Sequence, residues 1–248
     1  MLFRSAATYP ERLDDLIAMG AGIGDELAEN LRVGPLKIIA DGSMGSRTAH
    51  CIAPYPNPLP GYPNGKPNYT RSELLALLGR AREARLRAAV HAIGDAACHD
   101  VLDAFEISGT RGSVEHVQCV APADLPRFAR LKLVASIQPA HQLEDLGVVE
   151  RVWPGAKGHT YPMLDLLNAG ARLAFGSDAP VASLDPWKAI EAACHRPYRA
   201  DQALTPLAAL WASTRTTLGV GQPADLVLTA GPGKVLLTML GGRVTFSR

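Results

Sequence analysis

The sequence has no surplus of charge of either sign: 25 lysines and arginines stand against 24 aspartates and glutamates, a formal net charge of +1. A dedicated nucleic-acid binder needs a basic excess to hold phosphates, so that class is excluded. No apolar run approaches the roughly 18–20 residues of a membrane-spanning helix. The opening MLFRSAATYPERLDD lacks the apolar core of a secretory leader. Cysteine is scarce: Cys51, Cys98, Cys119 and Cys194 lie far apart without a CxxC pair, so reduced thiols in a cytoplasmic protein are expected. Internal repeats and low-complexity segments are absent. At 47% hydrophobic residues the chain is too apolar for disorder, and 248 residues suit one domain or slightly more.

What is present alternates between strand-like and helix-like stretches. Leu36–Ala40 is a short apolar run between Gly34-Pro35 and Asp41-Gly42. The stretch Cys51–Tyr69 carries six prolines and is too long for a plain connector, which predicts a functional loop. Ser72–Ala88 reads as an amphipathic helix opened by a capping box at Thr70 and Glu73. Strands are expected at Ala89–Ile93, Ser113–Val117, Leu133–Gln138 and Arg172–Phe175. Helices are expected at Asp95–Ile107, Ala123–Leu131, Tyr161–Ala169, Asp185–Cys194 and Thr205–Ser213. Ala224–Thr229 and Val235–Phe246 read as β-strands, with a turn or bulge near Gly241-Gly242. Apolar strands separated by helices imply a parallel sheet covered by helices.

Four polar residues lie in or just after these strands: Lys37 in LKIIADG, His91 in AAVHAIGD, His116 in SVEHVQ and Asp178 in LAFGSDAP. In a βα barrel the carboxyl ends of all strands gather on one face, where catalytic groups converge. Singly, each has a plain explanation: a hydrogen-bonded core histidine, a lysine that snorkels outward, an aspartate that caps a loop. Together, two imidazoles and a carboxylate suit a zinc-type divalent ion with a position open for water. A doubly wound sheet binding a small ligand without metal is the alternative. Gly20-Ala21-Gly22-Ile23-Gly24 lacks the spacing of a dinucleotide loop, and Gly42-Ser43-Met44-Gly45 is not GxSxG.

The motifs LKIIADGSMGS, HAIGD, VEHVQ with ASIQPAH, AFGSDAPV followed by DPW, and GQPADLVL occur in that order. Together they resemble the amidohydrolase superfamily, and within it amidohydrolase family 3, which includes N-substituted formamide deformylases. The resemblance runs from Leu36 to Arg248. It implies a TIM barrel and a metal-dependent hydrolase of carbon–nitrogen bonds other than peptide bonds, acting on a small amide-type substrate. It places a lysine, often carboxylated, on the fourth strand (Lys37) and histidine ligands on the fifth and sixth (His91, His116). The eighth-strand aspartate is Asp178, a ligand and the base that takes the water's proton. The implied cofactor is a divalent metal, zinc in the first place. Asp41, Asp95 and Glu115 are candidates to orient the imidazoles, with capping and turn formation an equal explanation for the two aspartates. His141, at a strand end, is a candidate for substrate contact, and the stretch His141–His159 is expected as a loop over the site that sets specificity together with Cys51–Tyr69.

The superfamily's first-strand HxH pair occurs nowhere in this sequence. The residues before Leu36 read mostly as helix and are too few for three βα units. The expectation is therefore an α/β fold that is a partial TIM barrel, with the equivalents of strands four to eight in residues 1–221. Residues 222–248 would be a β-hairpin remnant of the composite β-sandwich. Such a chain is expected to be an inactive fragment, a subunit completed by another chain, or a homo-oligomer, holding at most one ion well.

Overall fold

Apolar runs bounded by turn residues form the strands. In the computed structural model, which describes residues 6–28, 31–152, 160–197, 199–214 and 217–248, the first seven strands build one sheet. They are β1 (Ala6–Thr8), β2 (Glu26–Ala28), β3 (Leu31–Ile39), β4 (Ala88–Ala92), β5 (Gly112–His116), β6 (Val134–Ile137) and β7 (Arg172–Phe175). All except β2 run parallel in the order β1-β3-β4-β5-β6-β7, and β2 pairs antiparallel with β3. The helices are α1 (Leu13–Ala18), α2 (Arg71–Glu83), α3 (Asp95–Ser108), α4 (Leu125–Arg130), α5 (His141–Val152), α6 (Met163–Asn168), α7 (Pro186–Cys194) and α8 (Pro206–Ser213). None among the described residues is long and apolar enough to cross a membrane.

Parallel pairing keeps side chains of one row on one face, and the two faces of this sheet differ. Ile38, Val90, Val114, Ala135 and Leu173 are register partners across β3 to β7, and all are buried in the main core. Helices α2, α3 and α6 pack their apolar sides onto that face, with Leu78, Phe105 and Leu166 among the fully covered side chains. The opposite face carries Lys37, Ala89, Ser113, Val134 and Arg172 in one row and Ile39, His91, Glu115, Ser136 and Ala174 in the next. Most of these are half-buried or exposed. This is a partial TIM barrel: its helix-covered wall is complete across β3 to β7, and its lumen face is open.

Two expectations need correction. The residues ahead of Leu36 are not mostly helix, because β1 and β2 flank α1. β1 pairs with β3 through Ala6 with Val33 and Thr8 with Leu36, with one extra residue on β3 between them. That irregularity falls at Gly34-Pro35, where proline has no N–H to give to a ladder. A three-residue strand has no alternation to read, and the open edge of β3 stabilises it. The sheet thus holds six parallel strands rather than five, and the outer edge of β3 is partly covered. The second correction concerns residues 141–159, expected as a loop: His141–Val152 is helix α5.

Strands β8 (Leu226–Thr229), β9 (Val235–Leu240) and β10 (Arg243–Ser247) make a separate antiparallel sheet. The stretch Val235–Phe246 turns at Gly241 and Gly242, where a turn or bulge was expected, and their φ values of 55° and 81° form the hairpin turn. None of its residues joins a buried core cluster, and β10 is exposed throughout.

Local chemistry fixes the helix that precedes β4. Thr70 Oγ1 accepts from Glu73 N, and Glu73 returns a carboxylate oxygen to Thr70 N at 2.7 Å, so the capping box is formed. At the other end of β4, Gly94 lies against the loop backbone: a Cβ there would stand 1.9 Å from the carbonyl oxygen of His50. Gly94→Ala must therefore push strand and loop apart and should cost at least about 2 kcal/mol. Thr70→Ala, which only loses the cap, should cost about 1 kcal/mol. Urea unfolding of both variants checks the ranking.

Candidate metal centre

The site begins with a buried carboxylate. Asp41, the second residue after β3, is fully buried, and its oxygens accept from three backbone N–H groups. Oδ2 receives His50 N and Gly94 N, each at 2.9 Å, and Oδ1 receives Ile93 N at 3.0 Å. His91 Nε2 lies 3.3 Å from Oδ1 and 3.1 Å from the Gly42 carbonyl oxygen. A nitrogen between two acceptors carries the proton, so the Nδ1 lone pair of His91 is available for another partner. One carboxylate thereby joins the ends of β3 and β4 to the loop at His50 and sets the tautomer of His91.

His116 ends β5. Strict alternation would send it to the helix-covered face with its register partner Ala92. Instead His116 and Val117 have φ values of 73° and 49°, and the turn brings the two imidazoles edge to face at 4.5 Å between centroids. Positive φ on non-glycine residues costs energy and is found where geometry is demanded by a site. Burial pushes the His116 imidazole down to about 3, and the neighbouring His91, Lys37 and His141 push in the same direction. Its ring is thus neutral, with the Gln138 side chain beside it, and among the described residues no atom meets its buried Nδ1 in full hydrogen-bond geometry. Lys37 projects from β3 on the same face as His91, two residues before His91's register partner Ile39.

His141, the first residue of α5, stacks on His116 at 6.1 Å between centroids, and its Nε2 is buried and unpartnered among the described residues. The structure therefore brings Lys37, His91, His116 and His141 together on the lumen side of the sheet. Glu115 is the direct neighbour of His91 in the next strand and accepts from Ser113 Oγ. Asp95 lies apart, binding Ile52 N at 2.8 Å and its own helix start at Ala96 N at 3.0 Å. Asp178 follows β7 at the same carboxyl edge with φ 53°; it is exposed, and among the described residues no hydrogen bond links it to the imidazoles. His159 lies outside the described residues.

A second buried cluster holds the proline-rich loop against the site: Met44, Ala49, Cys51, Tyr55, Ile93, Cys119 and Val149. Tyr55 donates its hydroxyl to the Ala49 carbonyl at 3.0 Å. A network that sequence reasoning missed stands behind α5, where Asp145 Oδ2 accepts from the Tyr161 hydroxyl at 2.6 Å and from Gln118 Nε2 at 2.8 Å. The four-residue step from His141 to Asp145, one helical turn, is the signal that could have found it.

Do these residues fit a divalent ion? The two imidazoles of His91 and His116 are donors of the kind such an ion takes. Among the described residues no three His, Cys, Asp or Glu side chains already form a cage. The fit is therefore that of a half-site. His91 and His116, with Lys37 beside them, can hold an ion whose remaining donors come from elsewhere.

The architecture is that of the metal-dependent hydrolase barrels. The sequence profile of the amidohydrolase family, family 3, matches residues 10–245, and the chain belongs to that family. It is 34% identical over 226 residues to Protein LONG AFTER FAR-RED 3 of Arabidopsis thaliana, a match covering 83% of this chain and 37% of that protein. It is 27% identical over 152 residues to the N-substituted formamide deformylase of Arthrobacter pascens, covering 55% of this chain and 28% of the relative. Among solved structures, an uncharacterized metal-dependent hydrolase from Pyrococcus horikoshii OT3 superposes with a TM-score of 0.73 at 35% identity, over 83% of this chain and 43% of that one. The chain spans less than half the length of each of these relatives.

Two outcomes follow from this geometry. Asp41→Asn puts an amide N–H against backbone N–H donors in a dry site, and should cost about 2–4 kcal/mol in urea unfolding. The thiols of Cys98 and Cys119 are pushed well up by burial and that of Cys51 to about 12, whereas Cys194 is only partly covered. Iodoacetamide at pH 8 should therefore label Cys194 first and the other three only on unfolding, as followed by peptide mass spectrometry.

Proposed function

We propose that this chain provides the metal-binding wall of a hydrolase that cleaves carbon–nitrogen bonds other than peptide bonds in small amides. The observation that carries this reading is the meeting of Lys37, His91 and His116 on the open carboxyl edge of a parallel sheet. Membership of the amidohydrolase family and similarity to a formamide deformylase support the bond type.

His91 and His116 are the residues to hold a divalent ion, zinc by the nature of the donors, and Lys37 joins them if carboxylated to an anionic oxygen donor. An ion held there would supply Lewis acidity toward a water and toward the acyl oxygen. Asp41 keeps His91 Nε2 protonated and its Nδ1 free. Asp178, at the same edge, is the base that takes the water's proton and passes it to the leaving nitrogen. Burial of His116 keeps its ring neutral, as a ligand must be. The free thiols agree with a reducing cytoplasm.

Completion of the site calls for more polypeptide. A closed barrel of this type has eight strands, and the six parallel strands here leave room for two between β7 and β1. A groove of about 1020 Å³ runs beside the free edge of β7, walled by Leu173, Phe175, Ala208 and the half-exposed Trp211. We propose that a segment continuing the parallel sheet, whichever chain carries it, occupies this groove and supplies the missing donors. If no such segment binds, the chain is a non-catalytic relic that keeps one weak metal site.

Cobalt(II) titration followed by visible absorption tests the half-site. The wild-type chain should bind about one equivalent, and His91→Asn and His116→Asn should each weaken binding 10- to 100-fold. Hydrolysis of N-substituted formamides should appear only when a polypeptide with the first barrel strands is added. Cobalt binding unchanged in both variants contradicts the proposal.

A further inference from the structure

The groove beside β7 carries charge without a counter-charge. On the side of α8 its lining is apolar, with Ala208 and the half-exposed Trp211 beside Leu173 and Phe175. The charged residues that line it are Arg87 and Arg172, and among the described residues no acidic side chain does. Both arginines are exposed, and among the described residues neither side chain donates a hydrogen bond or joins an ion pair. Glu115 on the lumen face lies outside the groove and accepts from Ser113 Oγ.

Register places the two kinds of lining on opposite sides of one strand edge. Along β7, Leu173 and Phe175 are partners of the core residues Ala135 and Ile137, whereas Arg172 is the partner of Val134 on the lumen face. Arg87 lies two residues before Ala89, a lumen-facing residue of β4, and so shares that face. β7 pairs with β6 on one side, and among the described residues no strand pairs with the other. Its outer N–H and C=O groups therefore offer a ladder to an added strand. Such a strand alternates as β7 does: one set of its side chains meets the α8 wall and the other meets the arginines. Laid along β7, it takes water from the guanidinium groups, and a charge that loses its water without gaining a partner is strongly unfavourable. A carboxylate on the strand offsets that cost, because it pairs with a guanidinium through two parallel hydrogen bonds.

We propose that the groove receives an extended segment of alternating character, with large apolar side chains toward Trp211 and α8 and a carboxylate on the lumen side against Arg172 and Arg87. This gives the recognition chemistry of the segment that completes the site, and it rests on that part of the hydrolase reading. Apolar contact and backbone pairing supply the hold, and the arginines select the charge.

The probes are capped, rhodamine-labelled peptides of about six residues, the length of a strand, added to the whole chain up to millimolar concentration and followed by fluorescence anisotropy. One alternates valine and threonine, with glutamate at a central threonine position. Two others carry glutamine or lysine there, and a control keeps the glutamate peptide's composition without its alternation. None contains histidine or cysteine, so none brings a metal donor. The glutamate peptide should bind about tenfold more tightly than the glutamine peptide, and the lysine peptide more weakly than either. The control should bind about tenfold more weakly than the glutamate peptide, since its side chains no longer sort to the two walls. Arg172→Glu should reverse the order, so that the lysine peptide binds best, and Arg87→Gln should reduce the preference for glutamate about threefold. Trp211→Ala should weaken the three alternating peptides alike. The thermal midpoint of each variant is recorded in parallel. Equal binding of the glutamate and glutamine peptides overturns the proposal, as does a preference unmoved by Arg172→Glu; either leaves the completing segment and the metal reading in place. Binding by none of the peptides overturns the completing segment as well. Cobalt titration of the same samples reads the His91 and His116 half-site separately, so its failure removes the metal reading only.

Discussion

The buried carboxylate of Asp41 is the interaction on which the site depends. A charged group with no exposed surface is tolerated only when its oxygens are filled with donors. Here the donors are the N–H groups of His50, Ile93 and Gly94, together with the His91 ring. These four come from the end of β4 and from the start of the proline-rich loop. The carboxylate therefore fixes a loop, a strand end and an imidazole tautomer at once. Gly94 allows it, since any side chain there would collide with the His50 carbonyl. The strained turn at His116 and Val117 then brings the second imidazole to the first.

The two faces of the sheet explain why the chain folds and why it presents a site. Hydrophobic burial is spent on the helix-covered face, where Ile38, Val90, Val114, Ala135 and Leu173 form a continuous row. The lumen face contributes little to the core and is free to carry Lys37, His91, Glu115 and Ser136. At the carboxyl edge the first turn of α5 adds His141 and the loop after β7 adds Asp178. This division of labour lets a barrel wall hold polar chemistry without loss of its packing. Among the described residues it also leaves the outer edge of β7 unpaired, with a groove beside it.

Much of this was legible in the residues, and the reasons are physical. Strands β3, β4, β6 and β7 are largely apolar runs closed by glycine, proline or aspartate, and their alternation with amphipathic helices already implied a parallel sheet. The capping box at Thr70 and Glu73 was readable because its two hydrogen bonds depend on neighbours three residues apart. β1 escaped notice because three residues, AAT, carry no period and owe their conformation to the edge of β3. Helix α5 was taken for loop because its apolar side, with Val148 and Val149, faces a small cluster under the proline-rich loop rather than the main core. Lys37, His91 and His116 stood out as polar residues in apolar strands. Gln138 and Asp145 did not, since their importance lies in contacts across elements that no local pattern records. Asp95, expected near the imidazoles, instead ties Ile52 to the start of α3.

The central claim is that two imidazoles on adjacent strands, His91 and His116, are the chain's own metal donors. X-ray absorption at the zinc edge, on the chain with one equivalent of zinc, tests this most directly. The account predicts a first shell of nitrogen and oxygen near about 2.0–2.1 Å, with the outer-shell scattering of two imidazoles. A first shell dominated by cysteine sulfur near about 2.3 Å, or one without imidazole scattering, would contradict it.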